Sequence, residues 1–272
     1  LETERVDQLK PFRLADSALA RGYRLHVDDE IGSTNDEALT LARSGGQGKA
    51  WFVAKAQRKG RGRHAREWIS PPGNLYASLL LIDEVPPRFA PQLGFVAGVA
   101  LRRALLNAVK DEARLKLKWP NDCLYDGAKL AGILLESTTV KDHFACVIGI
   151  GVNCASAPEG LAYKAKSLAE IGAARDARDV FLAQSEEMTH ALDRFAGGSG
   201  FSAIREEWLS AAAGIGAPIR VETPNGAREG LFRTIDETGR LILECNDGTK
   251  TIEAGDVWFP ETQAGAMIGL DR

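Results

Sequence analysis

KWPNDCLYDGAKLAGILLE, residues 118–136, reads as the end of a strand, a tight turn and a return strand. The segment leading into it, LKLKW (115–119), alternates apolar and basic side chains as a strand does. Pro120 forces an extended path at Trp119, and Asn121-Asp122 are polar groups at a strand end. Asp126-Gly127 supplies a hairpin-type turn, after which KLAGILLES carries Lys129 ahead of the small Ala131 and Gly132. A lysine at a strand start is commonly solvated. An aspartate seven residues earlier across the turn, Asp122, favours instead a convergent acid–lysine pair. Gly132 is small enough to let a ligand pack against the backbone.

Outward from this hairpin the chain alternates strands and helices. On the N-terminal side, residues 93–110 predict a helix whose Gly94 and Gly98 allow close packing on a sheet, and PPGNLYASLLLI and WFVAKAQ predict strands. GSTNDEALTLARSGG (32–46) predicts a loop entering a short helix, with Thr34 and Glu37 as a capping box and Gly45-Gly46 as its end. On the C-terminal side, HFACVIGIGVNC predicts a buried strand, and amphipathic helices are expected around 178–196 and 201–213. After Gly214-Ile215-Gly216 the texture changes to short alternating runs punctuated by Asn225-Gly226, Thr238-Gly239 and Asp247-Gly248, the pattern of a small antiparallel barrel. The expected division is an N-terminal extension (1–24), an α+β catalytic-type domain (25–213) and a barrel domain (214–272).

Bulk properties narrow the partners. Lys plus Arg total 34 against 37 acids, a net charge of −3, so the chain lacks the basic surplus of a protein that wraps nucleic acid. The four cysteines show no C-x-x-C spacing and sit mostly in apolar segments, which predicts buried thiols in a reducing cytoplasm rather than disulfides. The four histidines are scattered, against a structural zinc site. No segment reaches the ~18 apolar residues of a spanning helix, so no membrane is expected and a cytoplasmic location is.

Against that balance, RKGRGRHAREW (58–68) concentrates positive charge in one place. Gly60 and Gly62 let backbone N–H groups approach an anion, and Arg61, Arg63 and Arg66 bring guanidinium forks suited to phosphate or carboxylate. Such a glycine-rich, self-repelling loop is expected to be mobile until an anion neutralises it. GIGVNC (149–154) begins as a dinucleotide fingerprint would, but Cys154 stands at the third glycine, so a close-approach strand end carrying Asn153 suits it better. Ser33, Thr34 and Asn35 offer hydroxyls and an amide at a helix N-terminus; a plain N-cap accounts for either hydroxyl equally well.

In this order, GSTN, Q-x-x-GRGR-x-x-R-x-W, KWPND, KLAGILLE and GIGVN resemble the biotin protein ligases. The resemblance covers about residues 25–260. It implies a mixed β-sheet catalytic domain packed with helices, of the class II synthetase-like or biotin–lipoate ligase fold, followed by a small SH3-like barrel. It implies activation of biotin by Mg-ATP to biotinyl-5′-adenylate and transfer to one lysine of a biotin carboxyl carrier protein of acetyl-CoA or a related carboxylase. By similarity, Ser33, Thr34 and Gln57 hydrogen-bond the ureido ring with Asn35 nearby. The backbone of Gly60, Arg61, Gly62 and Arg63 folds over biotin, and Gly132 gives close approach to it. Lys129 bridges the biotin carboxylate and the α-phosphate, Arg63 holds the loop over the adenylate, and Arg66 reaches toward pyrophosphate. Arg61, Trp68, Asn121 and Asn153 complete the adenylate set. Asp122 helps Mg²⁺ or deprotonates the acceptor lysine, and both roles stay open.

Three departures accompany the resemblance. Ala65 stands where relatives usually have glycine. AYKAKSLAE (162–170) lacks the tryptophan that several relatives place over adenine. About 24 residues precede the family core, too few for the helix-turn-helix of repressor-type relatives, so no DNA partner is expected. Family members dimerise through a sheet edge, some only once the adenylate forms, which leaves monomer and homodimer both open. A lipoate ligase or octanoyltransferase of the same fold, a nucleic-acid module using the Arg-Gly run, and a catalytically dead regulator are the rival readings.

Overall fold

The structure, a computed structural model, describes residues 11–173 and 175–260. Seven strands form one mixed sheet: β1 (Arg24–Ile31), β2 (Ala50–Gln57), β3 (Leu75–Ile82), β4 (Leu115–Lys118), β5 (Asp122–Tyr125), β6 (Ala128–Val140) and β7 (His143–Val152). Their order is β1-β2-β3-β7-β6-β5-β4, parallel only between β1 and β2 and antiparallel elsewhere. This is the mixed sheet that the motifs implied.

Alternation along the central strands divides the core in two. Trp51, Val53, Leu75, Ala77, Leu79, Ile148 and Ile150 point into the main core. There they meet α3 (Leu93–Leu106), α4 (Ala177–Phe195) and α5 (Phe201–Ser210). Ala50, Phe52, Leu80, Ala145 and Val147 point the other way, under Ala38, Leu39 and Ala42 of α2 (Thr34–Arg43). Toward one end of the sheet that second face changes character: beyond Leu80 and Val147 the same rows continue as Ser78 and Tyr76, and as Gly149 and Gly151. A face that runs from apolar to small and polar leaves room for a ligand where α2 stops covering it.

Helix α2 begins one residue earlier in the cap than expected. Its N-cap is Ser33, which makes no side-chain cap bond, and Thr34 is the first helical residue, so the Thr34–Glu37 capping box does not form. Thr34 spends its hydroxyl on Gln57 instead. The C-terminus agrees with expectation: Gly45, at φ 77, and Gly46 donate to the carbonyls of Ala42 and Leu41, a Schellman pair. Leu14, Ala18 and Tyr23, from the segment that includes α1 (Asp16–Ala20), are buried in the main core. Residues 1–10 of the expected extension lie outside the described residues.

Beyond Gly214 the chain forms an antiparallel sheet of β8 (Pro218–Thr223), β9 (Gly226–Ile235), β10 (Leu241–Cys245), β11 (Gly248–Ile252) and β12 (Asp256–Trp258), ordered β11-β10-β9-β8-β12. The pairing is that of a five-stranded sheet with β11 and β12 at its ends; closure into an SH3-like barrel stays an expectation. Residues 261–272 of the expected barrel domain lie outside the described residues. Phe232, Ile235, Leu241 and Val257 belong to the same continuous core as the first sheet. The Trp119 indole N–H donates to the Gly239 carbonyl at 3.0 Å. The second sheet is therefore seated on the segment that follows β4.

Candidate active site

A cavity opens on the small, polar end of the sheet. Ser33, Thr34, Asn35, Gln57, Arg61, Gly62, Arg63, Arg66, Trp68, Asn121, Asp122, Lys129 and Gly132 all line it, although they span a hundred residues of sequence. Gly60 and Asn153 are the exceptions among the expected residues. A Cβ at Gly60 would lie 2.4 Å from the Ser70 hydroxyl and 2.5 Å from the Trp68 carbonyl, so this glycine closes the base of the cationic loop. Asn153 is buried behind the wall, where its amide N–H donates to the Lys166 carbonyl at 3.2 Å and its backbone N–H to that of Leu130. It braces the strand carrying Lys129 and does not line this cavity.

The acid–lysine pair forms. Lys129 Nζ lies 2.7 Å from Asp122 Oδ1, with both side chains about one-sixth exposed. A β-bulge makes this possible. Asp122 pairs with Gly132 and Leu124 with Lys129, a register shift that inserts one residue in β6. Strand period alone would put Lys129 and Gly132, three residues apart, on opposite faces; the extra residue returns both to the cavity.

The glycines of GIGV make room for side chains rather than for a cofactor turn. A Cβ at Gly149 would come within 2.3 Å of Asn35 Oδ1, and one at Gly151 within 2.6 Å of the Trp68 ring. The Trp68 indole thus lies across the cavity floor, where Lys129 Nζ sits 5.4 Å from a ring centroid and the buried indole N–H finds no acceptor among the described residues.

Residues 60–68 form a small hairpin, with Arg61 bridged to Glu67. Trp68 N–H donates to the Gly60 carbonyl, Gly62 N–H to that of Arg66, and Arg66 N–H to that of Arg63. Its charges are neutralised internally. Arg61 bonds Glu136 and Asp36, while Arg63 Nη1 donates to the Gly255 carbonyl (3.1 Å) and Asp256 (3.2 Å), and Arg66 also binds Asp256. Sequence could not show these partners, because Glu136 and Asp256 are brought in by tertiary packing.

Lys118, Lys129, Arg63 and Arg66 line the cavity with Asp122 and Asp256, and both carboxylates act on Lys118 and on Arg63. Burial lowers the pKa of Lys118, against the opposing pull of Asp122. Burial likewise lowers that of Arg63, with Asp256 pulling the other way. Both groups would gain from an anion placed between them. Lys118 was missed as a functional residue although it opens KWPND; its ammonium lies 5.6 Å from the Trp258 ring and 5.7 Å from that of Phe259. Tyr163 was also missed. It lines the cavity 5.3 Å from Lys129 Nζ, in the segment without the expected tryptophan.

The arrangement, one end rich in hydroxyl and amide groups and the other in cations, suits a ligand with a polar neutral head and a reacting anionic tail. Comparison with known proteins agrees. Residues 31–153 match the Biotin/lipoate A/B protein ligase family, and residues 214–259 the Biotin protein ligase C terminal domain. The biotin–[acetyl-CoA-carboxylase] ligase of Paracoccus denitrificans is 41% identical over 237 residues, covering 84% of this chain and 97% of the relative. That of Mycobacterium tuberculosis is 33% identical over 246 residues, covering 87% and 89%. Among solved structures, a biotin protein ligase from Aquifex aeolicus in complex with biotin and ATP is 29% identical with a TM-score of 0.73, covering 86% of this chain and 97% of that one. Sequence motifs, sheet topology and matched segments at both ends of the described chain converge: this chain belongs to the biotin protein ligase family.

Proposed function

We propose that the cavity joins biotin to ATP as biotinyl-5′-adenylate, releasing pyrophosphate, and then passes the biotinyl group to a lysine of a biotin carboxyl carrier protein, with AMP leaving. The observation that carries this is the convergence of Lys118, Lys129, Arg63 and Arg66 on one end of a cavity whose other end presents Ser33, Thr34 and Gln57. Attack of the biotin carboxylate on the α-phosphorus brings two anions together, and preorganised cations offset both their repulsion and the charge of the transition state. Lys129 bridges carboxylate and α-phosphate, Arg63 and Arg66 take the outer phosphates and hold the hairpin, and Lys118 adds charge beside them. Trp68 offers its indole N–H and ring to the biotin–adenylate junction, and Asn121 stands beside it. Tyr163 is the aromatic group offered to adenine.

Mg²⁺ would arrive with the nucleotide. Asp122 supplies the hard carboxylate oxygen that such an ion takes alongside phosphate and water, although its present partner is Lys129. The ion would neutralise phosphate charge. In transfer, the carrier lysine must lose a proton before its amine attacks the mixed anhydride, and Asp122 is the nearby carboxylate able to accept it. We place the catalytic unit at 25–213 and the C-terminal unit at 214–272. The carrier belongs to acetyl-CoA carboxylase or a related enzyme, and the location is cytoplasmic. Among the described residues no helix is long and apolar enough to cross a membrane.

ATP–pyrophosphate exchange with biotin, lipoate or neither tests this reading. Exchange with biotin alone is expected. Exchange with lipoate would keep the fold and change the substrate, and no exchange with either would point to a binding homologue.

A further inference from the structure

A chain of hydrogen bonds leaves the cationic hairpin at its far end and returns to it through the cavity floor. Ser70 Oγ donates to the Trp68 carbonyl (2.7 Å) and accepts from Gln57 Nε2 (3.1 Å). Gln57 Oε1 accepts from the Thr34 backbone N–H (2.8 Å) and hydroxyl (3.1 Å). Ser78 Oγ lies 2.7 Å from Thr34 Oγ1 and 2.5 Å from Asn35 Oδ1. Asn35 Nδ2 donates to Glu136 Oε2 (2.7 Å), and Glu136 accepts from Arg61 through Nη2 (2.8 and 3.0 Å) and Nε (3.3 Å).

We propose that Glu136 is a positioning residue of this ligase, which ties the cationic hairpin to the groups that receive biotin and so couples biotin occupancy to hairpin closure. The inference rests on the functional reading above. Glu136 does not line the cavity, so it acts through Arg61 and Asn35. Thr34 and Gln57, the groups offered to the ureido ring, are bonded to one another. A polar head entering there must exchange with those bonds, one step from Ser78 and two from Asn35. Thr34, Asn35 and Ser78 are almost fully buried, so a disturbed bond there cannot be replaced by bulk water and is passed along the chain. The absent Cβ of Gly149 is what lets Asn35 reach between Ser78 and Glu136. At the hairpin, Arg61 receives this link on the limb opposite Trp68, so both limbs are tied to the ureido end. Arg61 also bonds Asp36 of α2 (2.8 Å), while the contacts from Arg63 and Arg66 to Asp256 belong to the nucleotide end.

The test compares the unmodified chain with Glu136→Ala, Glu136→Gln and Arg61→Lys. Three quantities are measured: biotin-dependent exchange, biotinyl-adenylate released without carrier, and trypsin cleavage within residues 58–66 with and without biotin. In the unmodified enzyme biotin is expected to slow that cleavage. Glu136→Ala should lose the slowing at saturating biotin and release adenylate about tenfold faster, while the KM for ATP stays within about threefold. Glu136→Gln keeps an acceptor for Asn35 and loses the charge facing Arg61, so it should fall between, and it carries the test if the alanine variant does not fold. Hairpin protection and adenylate retention unchanged in the Glu136 variants would overturn the proposal. So would a fall of all parameters together in step with the folded fraction by circular dichroism. Absence of biotin-dependent exchange in the unmodified enzyme would instead overturn the ligase reading itself.

Discussion

At the tip of the cationic hairpin, His64 and Ala65 occupy the left-handed region at φ 55 and 56, the two central positions of a turn closed by the Arg66 N–H on the Arg63 carbonyl. Turns of that shape favour glycine at the second position. Ala65→Gly should relieve about 1 kcal/mol of backbone strain and raise the thermal midpoint slightly in a melting experiment. Lys129 is held by Asp122 in the position from which an anion would displace that carboxylate. Lys129→Ala should slow biotin-dependent exchange about a hundredfold, roughly 3 kcal/mol, with fold retained by circular dichroism. Arg63 serves as a tether as well as a charge. Arg63→Gly should let biotinyl-adenylate escape and label lysines of bystander proteins, visible as biotinylation of added albumin; labelling confined to the carrier would refute the retention role.

At the scale of elements, turns and bulges do more than join strands. The turn between β9 and β10 is organised by Asp236, which accepts from the Thr238 backbone N–H (2.9 Å) and hydroxyl (2.8 Å) and from the Arg240 backbone N–H (2.9 Å). The same turn presents the Gly239 carbonyl to Trp119. Burial alone would push the Asp236 carboxyl up, but the Thr238 and Arg240 contacts outweigh it and hold it down at about 2, against the usual 3.8. A depressed folded-state value means that ionised Asp236 stabilises the fold above about pH 4 and that this contribution is lost as pH falls through about 2. Asp236→Asn should flatten the fall in thermal midpoint between those values relative to the unmodified protein. The bulge in β6 has the comparable role for chemistry, since it alone places Lys129 beside Asp122.

Across the whole molecule, the C-terminal sheet acts as a wall of the cavity. Strand β12 brings Asp256 to Arg63 and Arg66 and Trp258 to the Lys118 ammonium, and Phe259, just beyond it, packs beside the same ammonium. Each guanidinium keeps further N–H donors for a phosphate while one carboxylate fixes its orientation. Asp256→Asn weakens two charge-assisted contacts and should raise the KM for ATP about tenfold, by roughly 1.5 kcal/mol, with the KM for biotin little changed. Steady-state exchange with each substrate varied in turn distinguishes this from a general loss of fold, which would lower the rate at every concentration.

Apart from β1, β5 and the short α1, the sequence by itself determined the strands, the principal helices, the change of texture at Gly214 and most of the cavity lining. Period, turn dipeptides and glycine placement are local properties of the chain, and GRGR, KWPND and KLAG carry the resemblance within short segments. Asp122 and Lys129 could be paired in advance because one short hairpin joins them. The tertiary structure alone decided what the polar groups do. Thr34 serves Gln57 instead of a capping box, Asn153 braces a wall instead of facing the cavity, and Arg61, Arg63 and Arg66 find Glu136, Asp36 and Asp256. Those choices depend on which distant groups burial brings within about 3 Å, and hydrogen bonds at that range leave no periodic trace in a sequence.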